Sequence, residues 1–227
     1  MSAPCCDSCY DAAFDTRTAQ SELRWYRSKG PRGHARRLAE TLAAGGAAGL
    51  TVLDIGAGVG AVHHLLLDAG AASAVDVDAS RPYLDAARSE AVRRGFAERV
   101  TFEHGDLTRM AERVAPADLV ALDRVVCCHP DVVRLVSAAA ARTRRRLGIV
   151  MPRETPWVRA GIALENLWER IRRSGYRAYV HPLAAVEAAA TRAGLARYAR
   201  QGLGPFWLLL AYERPGPLFP RVTAPRS

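Results

Sequence analysis

The segment from residue 50 to residue 60 constrains the fold more than any other part of the chain. It reads Leu-Thr-Val-Leu-Asp-Ile-Gly-Ala-Gly-Val-Gly, and an apolar helical pattern begins at Val62. Residues 50–55 form a short apolar run with β-branched side chains, which is typical of a buried strand. A strand, a glycine turn and a helix in this order let the backbone approach a ligand closely and direct helix amides toward it. The segment therefore predicts a nucleotide-type binding turn in an α/β fold.

Two acids near this turn narrow the type of ligand. Asp78 ends a second apolar segment and lies 18 residues after Gly60. That interval is close to the roughly 20 residues expected before a carboxylate that accepts hydrogen bonds from a ribose. Asp54 stands two residues before Gly56, where a carboxylate would repel a pyrophosphate but could pair with an ammonium group. The pattern therefore favours a nucleoside with an ammonium group over a dinucleotide.

The length and composition indicate a single domain with a substantial core. The cysteine pattern indicates a reducing compartment. No run of about eighteen apolar residues and no charged-then-apolar leader is present, so we expect a cytoplasmic protein with no membrane partner. The five cysteines do not form a secreted disulfide pattern. Cys6 and Cys9, with Cys5 beside them, could bind zinc together with Cys127, Cys128 and His129. Vicinal cysteines rarely both bind one ion, so we expect no metal.

The net charge of +9 raises the question of nucleic-acid binding. Nearly all of this charge comes from scattered arginines, and Lys29 is the only lysine. The one short cluster, Arg142 with Arg144 to Arg146, is explained as the solvated C-terminus of a helix, where cations are favourable. The charge pattern therefore does not favour a nucleic-acid partner.

Strand-like and helical segments alternate regularly from residue 50 to residue 151. Strands are predicted at 50–55, 73–77, 100–103, 117–122 and 148–151, and helices at 81–95, with Ser80 as N-cap, and at 131–145. Two more strands, 195–201 and 206–213, are joined by a glycine- and proline-containing turn that indicates a hairpin. The predicted fold class is α/β, a doubly wound, mostly parallel seven-stranded sheet with a C-terminal antiparallel hairpin.

An enlarged segment of about residues 152–182 separates the fifth strand from this hairpin. It contains an aromatic-rich amphipathic helix with the apolar residues Trp157, Ile162, Leu164, Leu167, Trp168 and Ile171. Because it follows the carboxyl end of a strand, we predict a helical substrate cap with an apolar floor and with Arg153 and Arg159 at its rim; plain core packing is the alternative. Residues 215–227 contain four prolines and are predicted to be a loose tail.

The sequence from Asp54 to Gly60 resembles the first motif of class I S-adenosylmethionine (AdoMet) methyltransferases, and the resemblance extends over about residues 50–151. His104-Gly105-Asp106-Leu107 resembles the adenine-side motif of this family. The resemblance implies a domain at 46–214 that binds AdoMet and releases S-adenosylhomocysteine, with lid helices within residues 1–45. The implied cofactor-binding residues are Asp54, Gly56, Ala57, Gly58, Gly60, Asp78, Ala79, Gly105, Asp106, Leu107 and Asp123. Residues 16–28 and 31–44 are predicted from their pattern to be two helices broken at Gly30-Pro31. The resemblance implies that they form the lid, with candidate contacts Tyr10, Tyr26, Arg27 and His34.

The segment after the fourth strand supplies the candidates for catalysis. Methyl transfer from a sulfonium is an in-line displacement, for which orientation can supply about 7–11 kcal/mol. A general base is needed only when the acceptor is a protonated hydroxyl, phenol or carbon acid. His129 is predicted either as that base or as a helix-entry histidine without a catalytic part. Asp123 and Arg124 complete the predicted catalytic set, and Arg124 could pair with an acidic group of the substrate.

A narrower resemblance links the chain to the magnesium-protoporphyrin O-methyltransferase group. Arg32-Gly33-His34 opening a helix and Pro152-Arg153 after the fifth strand are similar to that group. The group has a His-Tyr-Pro turn, whereas this chain has Cys128-His129-Pro130, so the histidine is displaced by one residue. A porphyrin is therefore only one possible acceptor.

The sequence as a whole predicts an AdoMet-dependent O-methyltransferase of secondary or specialised metabolism that acts on a small-molecule acceptor, as a monomer or homodimer. One alternative is a tRNA or rRNA methyltransferase, motivated by the positive charge. The other is a non-catalytic AdoMet-binding protein, which the residues do not exclude.

Overall fold

The computed structural model of the chain describes residues 10, 11, 13–172 and 175–216. Its strands are β1 (Thr51–Ile55), β2 (Ser73–Asp78), β3 (Val100–His104), β4 (Ala117–Asp123), β5 (Thr143–Pro152), β6 (Ala196–Leu203) and β7 (Trp207–Glu213). They form one sheet in the order β3-β2-β1-β4-β5-β7-β6. Strands β1 to β5 pair in parallel, and β7 runs antiparallel to both β5 and β6. The predicted fold class, with its terminal hairpin, is confirmed.

The helices cover both faces of this sheet, as the connections between parallel strands require. They are α1 (Thr16–Lys29), α2 (Gly33–Leu42), α3 (Ala61–Asp68), α4 (Arg81–Arg93), α5 (Leu107–Met110), α6 (Val132–Ala141), α7 (Pro156–Ile171) and α8 (Leu183–Arg192). Helices α6 and α8 pack with one apolar face of the sheet, and α2, α3 and α4 with the other. Ser80 accepts a hydrogen bond from the Tyr83 amide at the start of α4, so its predicted role as N-cap is confirmed.

The second N-terminal helix belongs to the core. Leu38 and Leu42 of α2 are fully buried and lie against Gly148 of β5, where any Cβ would overlap Leu38. Helix α1 instead packs with α4 through Leu23 and Tyr83. Of the two predicted lid helices, α2 therefore packs directly on the sheet. Only α1 lies outside that layer, where a lid would be.

The predicted boundary between α6 and β5 was wrong. Helix α6 ends at Ala141, and β5 already begins at Thr143, so the arginine cluster lies on a strand. Arg145 pairs with Asp118 at 3.2 Å, and Arg146 donates to the Leu42 carbonyl oxygen at 3.1 Å. Arg145 and Arg146 thus satisfy groups of β4 and of the C-terminus of α2, which explains how two of the three cations are accommodated on the strand.

Some predictions for the two ends of the chain fall on residues that the structure does not describe. Cys5, Cys6 and Cys9 lie outside the described residues, as does the tail from residue 217 onward. Within the described part of the chain, no helix has the length and apolar character that crossing a bilayer requires.

Candidate active site

A cavity of about 430 Å³ lies at the carboxyl ends of the central strands. Ile55, Asp78 and Asp123, the last residues of β1, β2 and β4, all line it. This edge of an open α/β sheet is where ligands bind, because the chain reverses its direction of winding there. Aromatic residues contributed by α1, by the cap segment and by the β6–β7 turn form the remaining wall: Trp25, Tyr176, Phe206 and Trp207.

The glycine turn forms the floor of the cavity at the end of β1. Gly56 has a φ of 61°, and its amide donates to the Val77 carbonyl oxygen at 2.7 Å. A Cβ at this position would lie 2.6 Å from Val125, so only glycine fits without displacing that side chain. Ala57 and Gly58 also line the cavity, as predicted for a loop that passes beneath a ligand.

Asp54 and Gly60 lie behind this floor and do not line the cavity. Asp54 is fully buried, and its Oδ2 accepts a hydrogen bond from the His63 amide and contacts the His63 ring, each at 3.1 Å. Gly60 has a φ of 81°, and a Cβ there would lie 2.6 Å from the His63 ring. Asp54 Oδ1 has no hydrogen-bond partner among the described residues, and the Asp54–ammonium pairing expected from the sequence stays a prediction. Asp54 fixes the first turn of α3 to the end of β1.

Asp78 occupies the position expected for a ribose-binding carboxylate. It lines the cavity, and its two oxygens accept hydrogen bonds from the Ser80 amide at 2.8 Å and the Gly58 amide at 3.2 Å. Burial, with a smaller contribution from the nearby Asp54, raises the pKa of Asp78 to about 6 against the effect of these two hydrogen bonds. The carboxyl therefore joins the glycine turn to the start of α4 and titrates close to neutral pH.

The predicted adenine-side residues lie together with His129. Gly105, Asp106 and Leu107 line the cavity together with Ala79. Asp106 caps α5 by accepting from the Thr108 amide at 2.8 Å, and its Oδ2 lies 3.5 Å from His129 Nε2. Burial alone would raise the pKa of Asp106, but the hydrogen bonds from His129 and Thr108 outweigh it and hold that pKa below its usual value.

His129 is held through both of its ring nitrogens. Its Nδ1 lies 2.9 Å from the Asp131 carbonyl oxygen and 3.1 Å from the Asp131 amide. With Nε2 facing Asp106, the ring bridges the loop after β4 to the adenine-side residues. This arrangement resembles the helix-entry role more than that of a base open to an acceptor.

A different histidine faces the cavity beside the predicted catalytic acid. His34, the second residue of α2, has its Nδ1 2.9 Å from Asp123 Oδ2 and 3.0 Å from Asp123 Oδ1. Both residues line the cavity, and the His34 ring lies 6.2 Å from the Trp207 ring. The sequence predicted His34 only as a lid contact, because 89 positions separate the two residues and no local pattern connects them.

Helix α1 is tied to the cavity by a carboxylate that the sequence did not indicate. Glu22 accepts a hydrogen bond from the Tyr83 hydroxyl at 2.6 Å and another from Arg124 at 3.3 Å. Arg124 has a φ of 63°, and its guanidinium lies 6.0 Å from the Trp207 ring. Tyr10 and Tyr26 also line the cavity, whereas Arg27 turns away to pair with Glu90 at 2.8 Å.

The cap segment differs from its prediction. Among the six apolar residues proposed as a floor, only Ile162 lines the cavity; Trp157, Leu164, Leu167, Trp168 and Ile171 are exposed. The predicted rim arginines also lie elsewhere: Arg159 pairs with Glu154, and Arg153 donates to the Gly204 carbonyl oxygen. Helical spacing alone could not decide which face of α7 would be covered, because both faces carry apolar side chains.

The cysteines of the β4 loop are part of the cavity wall. Cys127 and Cys128 both line it, and Cys128 Sγ lies 3.3 Å from the Tyr176 hydroxyl. Within the residues that the structure covers, no group of three or more histidine, cysteine or acidic side chains could hold a metal ion.

Comparison with known proteins agrees with this geometry. The sequence model of the family described as a methyltransferase domain matches residues 52–147, from β1 into β5. A search of curated protein sequences gives no match. The chain therefore carries a methyltransferase domain, and its sheet order is the one that accompanies it.

Solved structures extend the likeness to nearly the whole chain. Magnesium protoporphyrin IX methyltransferase from Synechocystis PCC 6803, with bound AdoMet, is 20% identical, with a TM-score of 0.67 over 95% of this chain and 100% of that one. An O-methyltransferase family protein from Burkholderia thailandensis is 21% identical, with a TM-score of 0.68 over 89% and 61%. Geranyl diphosphate C-methyltransferase from Streptomyces coelicolor A3(2) is 14% identical, with a TM-score of 0.64 over 88% and 82%. At these identities the likeness shows the fold alone.

The match of residues 52–147 to a methyltransferase domain supports an AdoMet-dependent methyltransferase, and the Rossmann-like fold agrees with that class. The resemblance predicted over residues 50–151 is thereby confirmed, and AdoMet is the cofactor of this class.

Proposed function

We propose that the protein transfers the methyl group of AdoMet to an oxygen of a small, largely apolar acceptor that carries a weakly acidic hydroxyl, such as a phenol. The contact between His34 Nδ1 and Asp123 Oδ2, 2.9 Å at the cavity wall, carries this proposal. A carboxylate that holds one ring nitrogen of a histidine fixes the tautomer and leaves the other nitrogen to accept a proton.

The cofactor half of the cavity is formed by the glycine turn and the two acids. Asp78 can accept hydrogen bonds from ribose hydroxyls while it keeps its own bonds to Gly58 and Ser80, because a carboxylate has about four acceptor sites. Asp106, with its neighbours Gly105 and Leu107, forms the adenine side. When bound there, AdoMet would supply a methyl group on a positively charged sulfur to the acceptor oxygen, with S-adenosylhomocysteine as the leaving group.

His34 is better placed than His129 to remove the acceptor's proton. Within the described chain, His34 Nε2 has no hydrogen-bond partner, and the cavity lies beside the ring. As the acceptor oxygen gives its electron pair to the methyl carbon, its proton passes to Nε2 and Asp123 stabilises the resulting imidazolium. Both nitrogens of His129 already face Asp131 and Asp106.

The wall of the acceptor half supports a small apolar molecule rather than a nucleic acid. Phe206 and Trp207 pack edge to face at 4.9 Å, and the Arg32 guanidinium lies 4.1 Å from the Trp25 ring. Helix α1 contributes Trp25 and the cap segment contributes Tyr176 to the same cavity, and its volume of about 430 Å³ is in the range of small-molecule sites.

The experiment has two stages that can fail separately. Calorimetric titration with AdoMet and S-adenosylhomocysteine, with NAD(H) as control, tests the cofactor half. Transfer of labelled methyl groups is then measured with matched pairs of phenols and benzoic acids of equal size. We expect the phenols to be methylated in a way that depends on His34, whereas any turnover of benzoic acids, which are already ionised at neutral pH, should not depend on it. Turnover of benzoic acids alone would contradict the need for a base.

Two histidine variants separate the candidate bases. His34→Asn should lower kcat by about 10²–10⁴-fold and leave AdoMet affinity nearly unchanged. His129→Asn should instead weaken AdoMet binding through Asp106 and leave kcat largely intact. An equal effect of both variants on AdoMet binding, with no loss of kcat in His34→Asn, would refute the assignment.

A further inference from the structure

Helix α7 presents an exposed apolar surface that neither the cavity nor the core uses. Only Val158 and Ile162 of its 16 residues are buried. The outer apolar face consists of five large side chains with exposed fractions of 53–69%: Trp157, Leu164, Leu167, Trp168 and Ile171. Five such residues on one helix are more than scattered surface exposure would place together, and a contiguous patch of this kind marks an interaction site.

The helix also separates its charges. At about 100° per residue, the five apolar side chains fall within an arc of about 100°. Arg170 and, farther from the arc, Arg159 (paired with Glu154) follow one edge of it, whereas Glu165 and Glu169 fall on the side of Ile162, and Glu165 lines the cavity. Arg172 follows the last turn with its guanidinium 5.9 Å from the Trp168 ring. The outer face is therefore apolar, with exposed arginines along one edge and Arg172 beside Trp168, while the exposed Glu165 and the half-buried Glu169 lie on the side of the helix that carries Ile162.

We propose that the outer apolar face docks the protein on the surface of an anionic membrane, with α7 lying in the interfacial plane. Trp157 and Trp168 stand near the two ends of the helix, and tryptophan is favoured at the boundary between headgroups and acyl chains. The bordering arginines can reach phosphate groups while their stems lie on the apolar surface. The net charge of +9 gives the whole chain an attraction to such a surface.

The size of the face argues against a second copy of the chain as its occupant. A stable protein interface takes about 20–30 residues from each partner, and the outer apolar face offers five apolar residues of one helix. Shallow insertion into a lipid surface needs only one amphipathic helix of this kind. The sequence predicted no membrane partner, but that expectation rested only on the absence of a spanning segment and of a leader. Docking through one surface helix is a different mode of contact.

The test is sedimentation of the full chain with phosphatidylcholine vesicles that contain or lack phosphatidylglycerol, at low and at physiological salt. We expect binding that requires phosphatidylglycerol and weakens with salt. The double variant Leu164→Ser, Trp168→Ser should lower the partition coefficient by about tenfold or more, because it removes apolar area from the contact. Val92→Ser is the matched control, since Val92 is 61% exposed on α4 and should not affect binding.

A second pair of measurements locates the contact and tests the competing occupant. The double variant Trp157→Phe, Trp168→Phe keeps the face apolar, so vesicle binding should persist while the blue shift of tryptophan emission is lost. Light scattering measures the oligomeric state without lipid. Absence of binding to anionic vesicles at low salt, or equal binding by wild type and the Leu164→Ser, Trp168→Ser variant, would overturn the proposal. A dimer that this variant disrupts, without vesicle binding, would assign the face to a second copy instead.

Discussion

Lowering the pH below about 6 should weaken AdoMet binding through a single carboxyl group. Burial raises the pKa of Asp78 to about 6, and the ribose hydroxyls need the ionised form as acceptor. One pH unit below this value, only about a tenth of the Asp78 groups are ionised, so the affinity at pH 5 should be about tenfold lower than at pH 7. Above about pH 7 the contribution of Asp78 should be constant.

The same shift predicts how the stability of the protein without cofactor depends on pH. The folded-state pKa of Asp78 lies above the ordinary 3.8, so the protonated group stabilises the fold below about pH 4. This stabilisation is lost as the pH rises through about 6. The difference between the folded and unfolded pKa values corresponds to at most about 3 kcal/mol of unfolding free energy, and to less where cavity water screens the carboxylate. Near neutral pH the ionised Asp78 therefore lowers the free energy of unfolding, which agrees with a role in ligand binding rather than in stability.

Calorimetry from pH 5 to pH 8, in buffers of different ionisation enthalpy, measures both the affinity and the proton uptake. Asp78→Asn should bind weakly and lose the component centred near pH 6. Asp106→Asn is the matched control, because the pKa of Asp106 is held below its usual value and its titration lies outside this window. Comparison with the variants cancels the ionisation of the ligand's own amino group. An affinity in the wild type that is flat from pH 5 to pH 7, or unchanged pH dependence in Asp78→Asn, would refute the reasoning.

Three further substitutions, with Glu40→Gln as the control for one of them, test contacts in and around the site. Glu22→Gln should raise the Kd for AdoMet about three- to tenfold by weakening the hydrogen bonds that hold α1 over the cavity, and calorimetry would measure it. Gly60→Ala should lower the free energy of unfolding in urea by about 1–3 kcal/mol, because φ is 81° and the new Cβ meets a histidine ring. Glu90→Gln should cost about 1–3 kcal/mol, since its fully buried carboxylate holds two arginines, whereas the exposed Glu40→Gln should cost less than about 0.5 kcal/mol. Equal losses of unfolding free energy in Glu90→Gln and Glu40→Gln would contradict the claim that burial makes the Glu90 ion pairs stronger.

The sheet and the cofactor half of the cavity could be predicted because their signals are local. Strand periodicity, the glycine spacing around Gly58 and the acid that ends β2 each occupy a few consecutive residues, and parallel strands bring their carboxyl ends together. The start of β5 could not be predicted in this way. Arg144 to Arg146 satisfy the general pattern of a helix C-terminus, and only the tertiary contacts of Arg145 and Arg146 show why a strand carries them.

The acceptor half depends on contacts between distant parts of the chain. His34 and Asp123 meet only because α2 packs under the sheet, and Glu22 becomes part of the site only through Tyr83 and Arg124. Asp54 shows the opposite case: its motif was recognised, but its side chain turns to the helix behind the loop. A motif therefore located the loop without fixing the direction of each side chain.

The seating of α2 against Gly148 has a consequence for how acceptor preference can change. Leu38 and Leu42 occupy the space that a side chain at 148 would take, and His34 lies one turn earlier on the same rigid helix. The position of His34, the proposed base, is thus set by the packing of α2 on the sheet, through residues that no acceptor touches. Tyr176 and Phe206 of the aromatic wall pack instead with Val158 and Ile162 in a separate apolar cluster, whereas Trp207 packs with the cluster of α2. Variation at Tyr176 and Phe206 could therefore alter which molecules enter while the proposed base stays in place.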